Sequence, residues 1–512
     1  SLVSARKIRQ PITGNGDIET AFDGITYEKG ASVIGMFENY VGEKTFQKGM
    51  RAYIQKHKFG NAVADDLVSA IATAAGKGDA FKHAFNSFLN QTGVPYIATK
   101  VEQKDGKTVL HLSQSRYLPV GSTGDAQRIW GVPVCVRYGT DANGKDGASS
   151  SKVACEMLDK TSGSMVLAGA SKSTWVMPNA NASGYYRFSL DKQALGSLVG
   201  QVGKLSDAEQ LAYADAVNAS FQHGELDAGD VLTALQPLTA SKTREVATAP
   251  LDQIQWIYQN IASTDAQRAR LAGWIKAAYL PRLQQLGYQR KAGESESDSL
   301  LRSTLAGSLA LDFKLPEARA ALLKQGEAAL KPGADGRLNL AAADPDLLGD
   351  ALGVAVQQHG KSAVDALMAE LPKTSDPALR NGMLEGMAMA QDPAVLEQVR
   401  DFSLTKPVKV GEMARLLKEG RDTPAQRDAL WQWFTAHYQP ILERTGSFAG
   451  GRLPSLAGKD GCSKAEVDRL QAFFQPRLKD AAGVDRGLAQ TSEKIQLCSA
   501  LKEKQDASAI LR

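Results

Sequence analysis

The sequence predicts a mainly α-helical protein interrupted once, by a small β-sandwich. Three observations carry that prediction. Residues 1–94 place apolar side chains at helical spacing, as in Val33, Met36, Phe37 and Tyr40. Residues 95–190 switch to short strand-like runs with turn residues between them. Residues 191–512 return to helix signals with almost no strand alternation. A chain of 512 residues has room for about three domains, and these three stretches are the candidates.

The lead-in Ser1 to Asp17 reads as extended, with Pro11 and a turn at Gly14-Asn15-Gly16. Gly24 marks a helix break or tight turn. Thr26 is placed to cap the helix that follows, and Glu28 puts negative charge in its first turn. That helix carries Val33, Met36, Phe37 and Tyr40 on one face and ends at Gly42. Tyr27 therefore stands at a helix start, where a side chain projects from the scaffold. A phenol is a hydrogen-bond donor and can stabilise an oxyanion. From these residues alone, simple packing of Tyr27 at a helix end is the stronger reading. A second helix from Glu43 aligns Phe46, Met50, Tyr53 and Ile54, and His57 in its last turn suits the helix dipole. A third follows Asp65, with Leu67 and Ile71, and ends before Gly76. A fourth carries Phe81, Phe85, Phe88 and Leu89 and stops before Gly93.

At Pro95 the period changes. Tyr96 to Val101 and Lys107 to Ser113 read as strands joined by an Asp105-Gly106 hairpin turn. Further strands are expected at Gly131–Tyr138, Lys152–Leu158, Ser164–Leu167 and Ser173–Val176. Such close spacing suggests a sandwich, closed by Trp175 to Asn179 and Gly184 to Phe188. Trp130 and Trp175 read as its core, and His111 as a structural strand residue.

Beyond Leu190, Ser206 and Glu209 make a capping box, followed by Leu211, Ala214, Val217 and Phe221 at helical spacing. Asp344-Pro345, Asp376-Pro377 and Asp392-Pro393 repeat one device, an N-cap Asp with Pro at the first helical position. That recurrence predicts a solenoid-like array of the HEAT or ARM kind.

The run Phe22-Asp23-Gly24-Ile25-Thr26-Tyr27-Glu28-Lys29-Gly30-Ala31 resembles a phrase of the M1 family of zinc aminopeptidases, the gluzincins. The resemblance continues through Gly42-Glu43, Tyr53, Asn61, Asp65-Asp66-Leu67 and Gln91-Thr92-Gly93-Val94-Pro95. It covers about the first hundred residues. A second anchor, an asparagine followed by Gly184-Tyr185-Tyr186-Arg187, resembles the end of the family's sandwich. The resemblance implies that residues 1–94 are the helical half of a thermolysin-like catalytic domain, and that 191–512 curve over an active site. It implies that Tyr27 hydrogen-bonds the tetrahedral intermediate opposite a zinc ion. Gly483 to Ile495 are similar to the family's last helices, which makes Arg486 a candidate to reach substrate.

The family's zinc ligands are not in this sequence. None of His57, His83, His111, His223, His359 and His437 has the H-E-x-x-H spacing, and the G-x-M-E-N motif is missing too. The expectation is the C-terminal portion of a longer enzyme, and a first residue of Ser1 agrees. Zinc then belongs to the intact enzyme, and no cofactor is expected on this chain alone.

Composition excludes other classes. Lys+Arg 60 against Asp+Glu 56 leaves +4, with no basic run to suggest nucleic acid. No apolar run reaches the length of a membrane span. Cys135, Cys155, Cys462 and Cys498 can pair in three ways. Nearness in sequence favours Cys135–Cys155, around a turn at Asp141 to Gly144, and Cys462–Cys498. The alternative is four buried thiols. Disulfides would imply a periplasmic or secreted protein, free thiols a cytoplasmic one.

Two functions compete. One is a monomeric zinc aminopeptidase acting on peptides, of which this chain supplies the C-terminal part. The other is a non-catalytic module that binds peptides or partners through the sandwich and array.

Overall fold

Helix gives way to strand at Pro95 and strand to helix again at Lys192. The computed structural model describes residues 3, 5–12, 24–140, 150–171 and 174–512, without the side chains of 447–449. Phe22, Asp23, Ser173 and the turns at Gly14–Gly16 and Asp141–Gly144 lie outside the described residues. The chain forms two compact units, residues 1–238 and 239–512.

The first unit opens on a π-turn, Ile25–Lys29, which runs into α1 (Gly30–Val41). Gly24 is helical, at φ −57° and ψ −23°, so it breaks no helix. Thr26 lies inside the turn, not at the N-cap position, which Gly24 holds. The helices α2 (Glu43–His57), α3 (Ala64–Ala75) and α4 (Gly78–Asn90) stand where the sequence places them, but the apolar face expected on α2 buries Phe46 and leaves Ile54 exposed. Phe37 is fully buried against Phe81, Phe85 and Phe88, with ring centroids 5.2, 4.6 and 6.0 Å away. Gly49 allows α2 to cross α3 closely, since a Cβ there would sit 2.8 Å from the Cα of Ile71.

The sandwich has strands β1 (Pro95–Lys104), β2 (Lys107–Arg116), β3 (Val132–Thr140), β4 (Ser150–Leu158), β5 (Ser162–Val166), β6 (Val176–Met177) and β7 (Arg187–Leu190). One sheet runs β5-β2-β1-β7 and the other β4-β3-β6. Asp105 (φ 50°) and Gly106 (φ 72°) make the left-handed pair that a two-residue hairpin needs. The strand expected at 173–176 is only the pair Val176–Met177. Trp130 is buried in the core, whereas Trp175 is half-buried. β7 pairs parallel to β1, and a strand of four residues carries too little alternation to be seen in sequence.

Three helices complete this unit: α5 (Lys192–Val199), α6 (Asp207–His223) and α7 (Ala228–Leu235). The capping box at Ser206 and Glu209 forms at the start of α6, and Ala214, Val217 and Phe221 are buried while Leu211 is exposed. Glu209 does more than cap. It accepts from Arg137 Nε at 2.7 Å and from the Asn181 amide at 2.9 Å, tying α6 to the sandwich. Burial opposes its charge, but Arg137 and the amides of Asn181 and Ser206 hold the carboxyl below the usual range. Tyr96 and Tyr117 reach the opposite end of α6, donating to Glu225 at 2.6 Å and to the Ala219 carbonyl at 3.1 Å.

In the second unit, Asp376 and Asp392 cap the helices Pro377–Ala388 and Pro393–Ser403, each with proline at the first position. Asp344-Pro345 does not. The next helix begins only at Leu348, and the buried Asp344 instead accepts the amides of Arg290 and Asp346. Arginine–glutamate pairs recur through the array: Arg337–Glu370, Arg380–Glu412 and Arg427–Glu466, separated by 33, 32 and 39 residues. Arg337 reaches from a loop to the end of helix Lys361–Glu370, Arg380 joins helix Pro377–Ala388 to Val410–Leu416, and Arg427 joins Pro424–Ala436 to Lys464–Phe474.

Both sulfur pairs are bonded. Cys135–Cys155 (2.08 Å) links directly opposed residues of β3 and β4, and Cys462–Cys498 (2.06 Å) links the start of helix Lys464–Phe474 to helix Val484–Lys504.

Two carboxyls of the second unit resist ionisation. Burial, then Glu385 and Asp312, push Asp350 up to about 7. Burial, with Asp422, Glu419 and Asp252, pushes Asp312 up to about 7 as well. The folded state therefore keeps protons that an unfolded chain, with carboxyls near 3.8, has released. That stability is present below the unfolded value and is lost as pH rises through about 7, at up to about 1.4 kcal/mol per pH unit for each group. The second unit should melt lower at pH 8 than at pH 5. Asp350→Asn should raise the pH 8 melting temperature and narrow the gap; a variant with the wild-type pH dependence would contradict this assignment.

Candidate functional site

Tyr27 sits in the middle of the π-turn and is 61% exposed, an unusual exposure for a large aromatic ring. Single π-turns inside helices are rare and frequent at functional sites. The residues on either side of Tyr27 are held. Arg6 Nη2 donates to the Thr26 hydroxyl at 2.7 Å, while Arg6 Nη1 donates to the Lys7 carbonyl at 3.0 Å. Lys29 is turned inward and only 3% exposed. Its ammonium donates to the carbonyl oxygens of Gln91 (3.2 Å) and Gly93 (3.1 Å). It also lies 5.6 Å from the centre of the Tyr185 ring. Burial, then the charge of Arg116, draws Lys29 down to about 8.

Tyr185 belongs to a loop that closes the sandwich beneath α1. Asn179 pins this loop from inside, accepting the Gly184 amide at 2.8 Å and donating to the Gly184 carbonyl at 3.0 Å. Asn181 and Ala182 take left-handed backbone angles, φ 58° and 53°. Position 184 must be glycine, because a Cβ would fall 2.0 Å from the Tyr186 ring. The Tyr185 amide donates to the Met36 sulfur at 3.3 Å, and its ring meets Phe88 edge-on at 6.3 Å. Arg187 spans both oxygens of Asp215 at 3.2 Å and stacks 4.4 Å from the Tyr117 ring. A cleft of 350 Å³ lies here, walled by Val94, Tyr185, Arg187 and Asp215. Burial pushes the Tyr185 phenol up to about 12.

The other predicted residues are elsewhere. Arg486 lies half-buried in the first turn of helix Val484–Lys504, in the second unit. The histidines are scattered: His111 pairs with Glu102 at 2.6 Å, His359 with Glu327 at 2.8 Å, and His437 meets the Trp433 carbonyl at 2.8 Å. Among the described residues, no three or more His, Cys, Asp or Glu side chains gather to hold a metal ion. The described residues offer no donor set that fits a zinc ion.

Lys29 was not singled out in the sequence, although a signal was there. It falls at the first position of the i, i+4, i+7, i+8 stripe whose other members are Val33, Met36 and Phe37. A lysine on an apolar stripe asks for buried acceptors. Arg6 offered no comparable sign.

Residues 1–91 match the description "Peptidase family M1 domain", and residues 175–497 match "ERAP1-like C-terminal domain". The chain belongs to the M1 peptidase family. Relatives agree along nearly the whole chain. Aminopeptidase M1 of Arabidopsis thaliana is 28% identical, aligned over 97% of this chain and 56% of its own length. Aminopeptidase 2, mitochondrial, of Saccharomyces cerevisiae is 25% identical over 97% of this chain and 50% of its own. Aminopeptidase N of Lactococcus lactis is 25% identical over 98% and 57%. This M1-family chain thus spans about half the length of the curated relatives it matches. No helix among the described residues is long and apolar enough to cross a membrane.

Proposed function

We propose that this chain is the C-terminal part of a zinc aminopeptidase that removes N-terminal residues from peptides. The observation that carries this reading is Tyr27, presented outward on a π-turn whose inner face is buried and bonded. The metal and its ligands would come from protein outside these 512 residues. The task of this chain would be electrostatic. As water adds to the scissile carbonyl, the oxygen gains negative charge, and the Tyr27 hydroxyl donates a hydrogen bond to it. A donor fixed beforehand stabilises that charge without reorganising when it develops. The ground-state carbonyl is a poorer acceptor, so the interaction favours the transition state over bound substrate.

Tyr27→Phe keeps the ring and removes only the donor. In the full enzyme it should lower kcat by about 10²–10³, a loss of about 3–4 kcal/mol, with KM nearly constant. Zinc content and melting temperature should stay at wild-type values. A Tyr27→Phe enzyme that keeps more than about half its kcat would reject the oxyanion role, because one donor in that position is worth far more.

The bonded pairs Cys135–Cys155 and Cys462–Cys498 support a periplasmic or secreted site of action, since such bonds persist in oxidising compartments. Peptide mapping without reductant should recover both links from protein taken from its native compartment. Four titratable thiols would favour a cytoplasmic enzyme instead.

A further inference from the structure

We propose that Lys29 is a positioning residue for Tyr27, holding the π-turn in the one setting that aims the phenol outward. The proposal rests on the oxyanion role given to Tyr27 above. Its own ground is geometric. Lys29 and Tyr27 share a five-residue turn and leave it on opposite sides, one 3% and the other 61% exposed. A rotation or slide of that turn must move both side chains. The Lys29 ammonium resists such a movement, because its two acceptors are backbone carbonyls, those of Gln91 and Gly93, at 3.2 and 3.1 Å. Backbone acceptors at the end of α4 cannot follow a displaced donor as a flexible side chain could. Arg6 bonded to Thr26 braces the turn on its other flank.

Packing alone does not account for a lysine here. The position belongs to an apolar stripe, and a methionine would fill it without stripping an ammonium of water. No carboxylate among the described residues pairs with Lys29, and the charged group facing it is Arg116, a like charge. The depressed value of about 8 agrees that the site is costly for a cation. A buried charge kept at such a cost, next to the residue proposed to do chemistry, is accounted for by what it orients.

The test is a double-mutant cycle in the full enzyme, joined to a probe of the Tyr27 ring. Lys29→Met should lower kcat by about 10- to 100-fold with KM unchanged, the cost of a misplaced group. In the Tyr27→Phe background the same change should cost less than about twofold, because both variants lose one shared interaction. With 3-fluorotyrosine at position 27, the fluorine NMR line should shift or broaden in the Lys29→Met enzyme. An equal kcat loss in both backgrounds would overturn the proposal, as would an unmoved fluorine line. If Tyr27→Phe proves silent, the oxyanion reading falls, while the fluorine line still decides whether Lys29 sets the ring. Should Lys29→Met fail to fold, Lys29→Gln, too short to reach both carbonyls, replaces it. Wild-type kcat and an unmoved line in that variant would equally overturn the proposal.

Discussion

The first unit depends on a four-residue crossing, Gln91 to Val94, between α4 and β1. The helix hydrogen-bond pattern stops here, because the chain turns extended at Gln91 (φ −116°, ψ 146°) and left-handed at Gly93 (φ +98°). Three donors from elsewhere in the unit satisfy the four carbonyls. Lys29 donates to those of Gln91 and Gly93, Arg128 to that of Thr92 at 3.1 Å, and the Tyr117 amide to that of Val94 at 2.8 Å. A carbonyl left without a donor away from water costs roughly 1–3 kcal/mol, and the requirement is strictest at Gly93, the buried residue of the four. The same requirement reaches the candidate site. By recruiting Lys29, the crossing fixes the turn that carries Tyr27.

The second unit solves a different problem. Stacked helical pairs bury apolar faces against their neighbours, yet apolar contact alone does not set one register. The recurring pairs Arg337–Glu370, Arg380–Glu412 and Arg427–Glu466 do so by geometry, since a planar guanidinium accepts few orientations of a carboxylate. Arg380 shows the pattern fully. It meets both oxygens of Glu412, at 2.8 and 2.7 Å, and donates to the carbonyls of Leu371, Thr374 and Pro407. Removing one member of such a buried set leaves the other uncompensated, and this makes the pairs a constraint on register more than a source of stability.

Helices with an apolar face were legible in the sequence because one residue pattern reports both their type and their buried side. Val33, Met36 and Phe37 illustrate this, as do Phe81, Phe85 and Phe88. The hairpin at Asp105-Gly106 was legible for a local reason, its need for left-handed angles. Non-local features were not. β7 exists because β1 offers it an edge, and nothing within Arg187–Leu190 announces that partner. Asp344-Pro345 imitates a helix start, but the buried carboxylate is used by the amides of Arg290 and Asp346. At the site, a cap was expected of Thr26, whose hydroxyl in fact answers to Arg6. Such a contact joins residues 20 apart in sequence and leaves no periodic trace.

In the proposed role, Tyr27 points its hydroxyl at the oxygen that becomes charged. The most direct measurement is a crystal structure of the full enzyme with a phosphinic dipeptide analogue, whose tetrahedral phosphorus stands in for the hydrated carbonyl. The Tyr27 hydroxyl should lie at hydrogen-bond distance, about 2.5–3.0 Å, from a phosphinyl oxygen, with Lys29 still bonded to the Gln91 and Gly93 carbonyls. A hydroxyl more than about 4 Å from both phosphinyl oxygens, beyond any hydrogen bond, would contradict it.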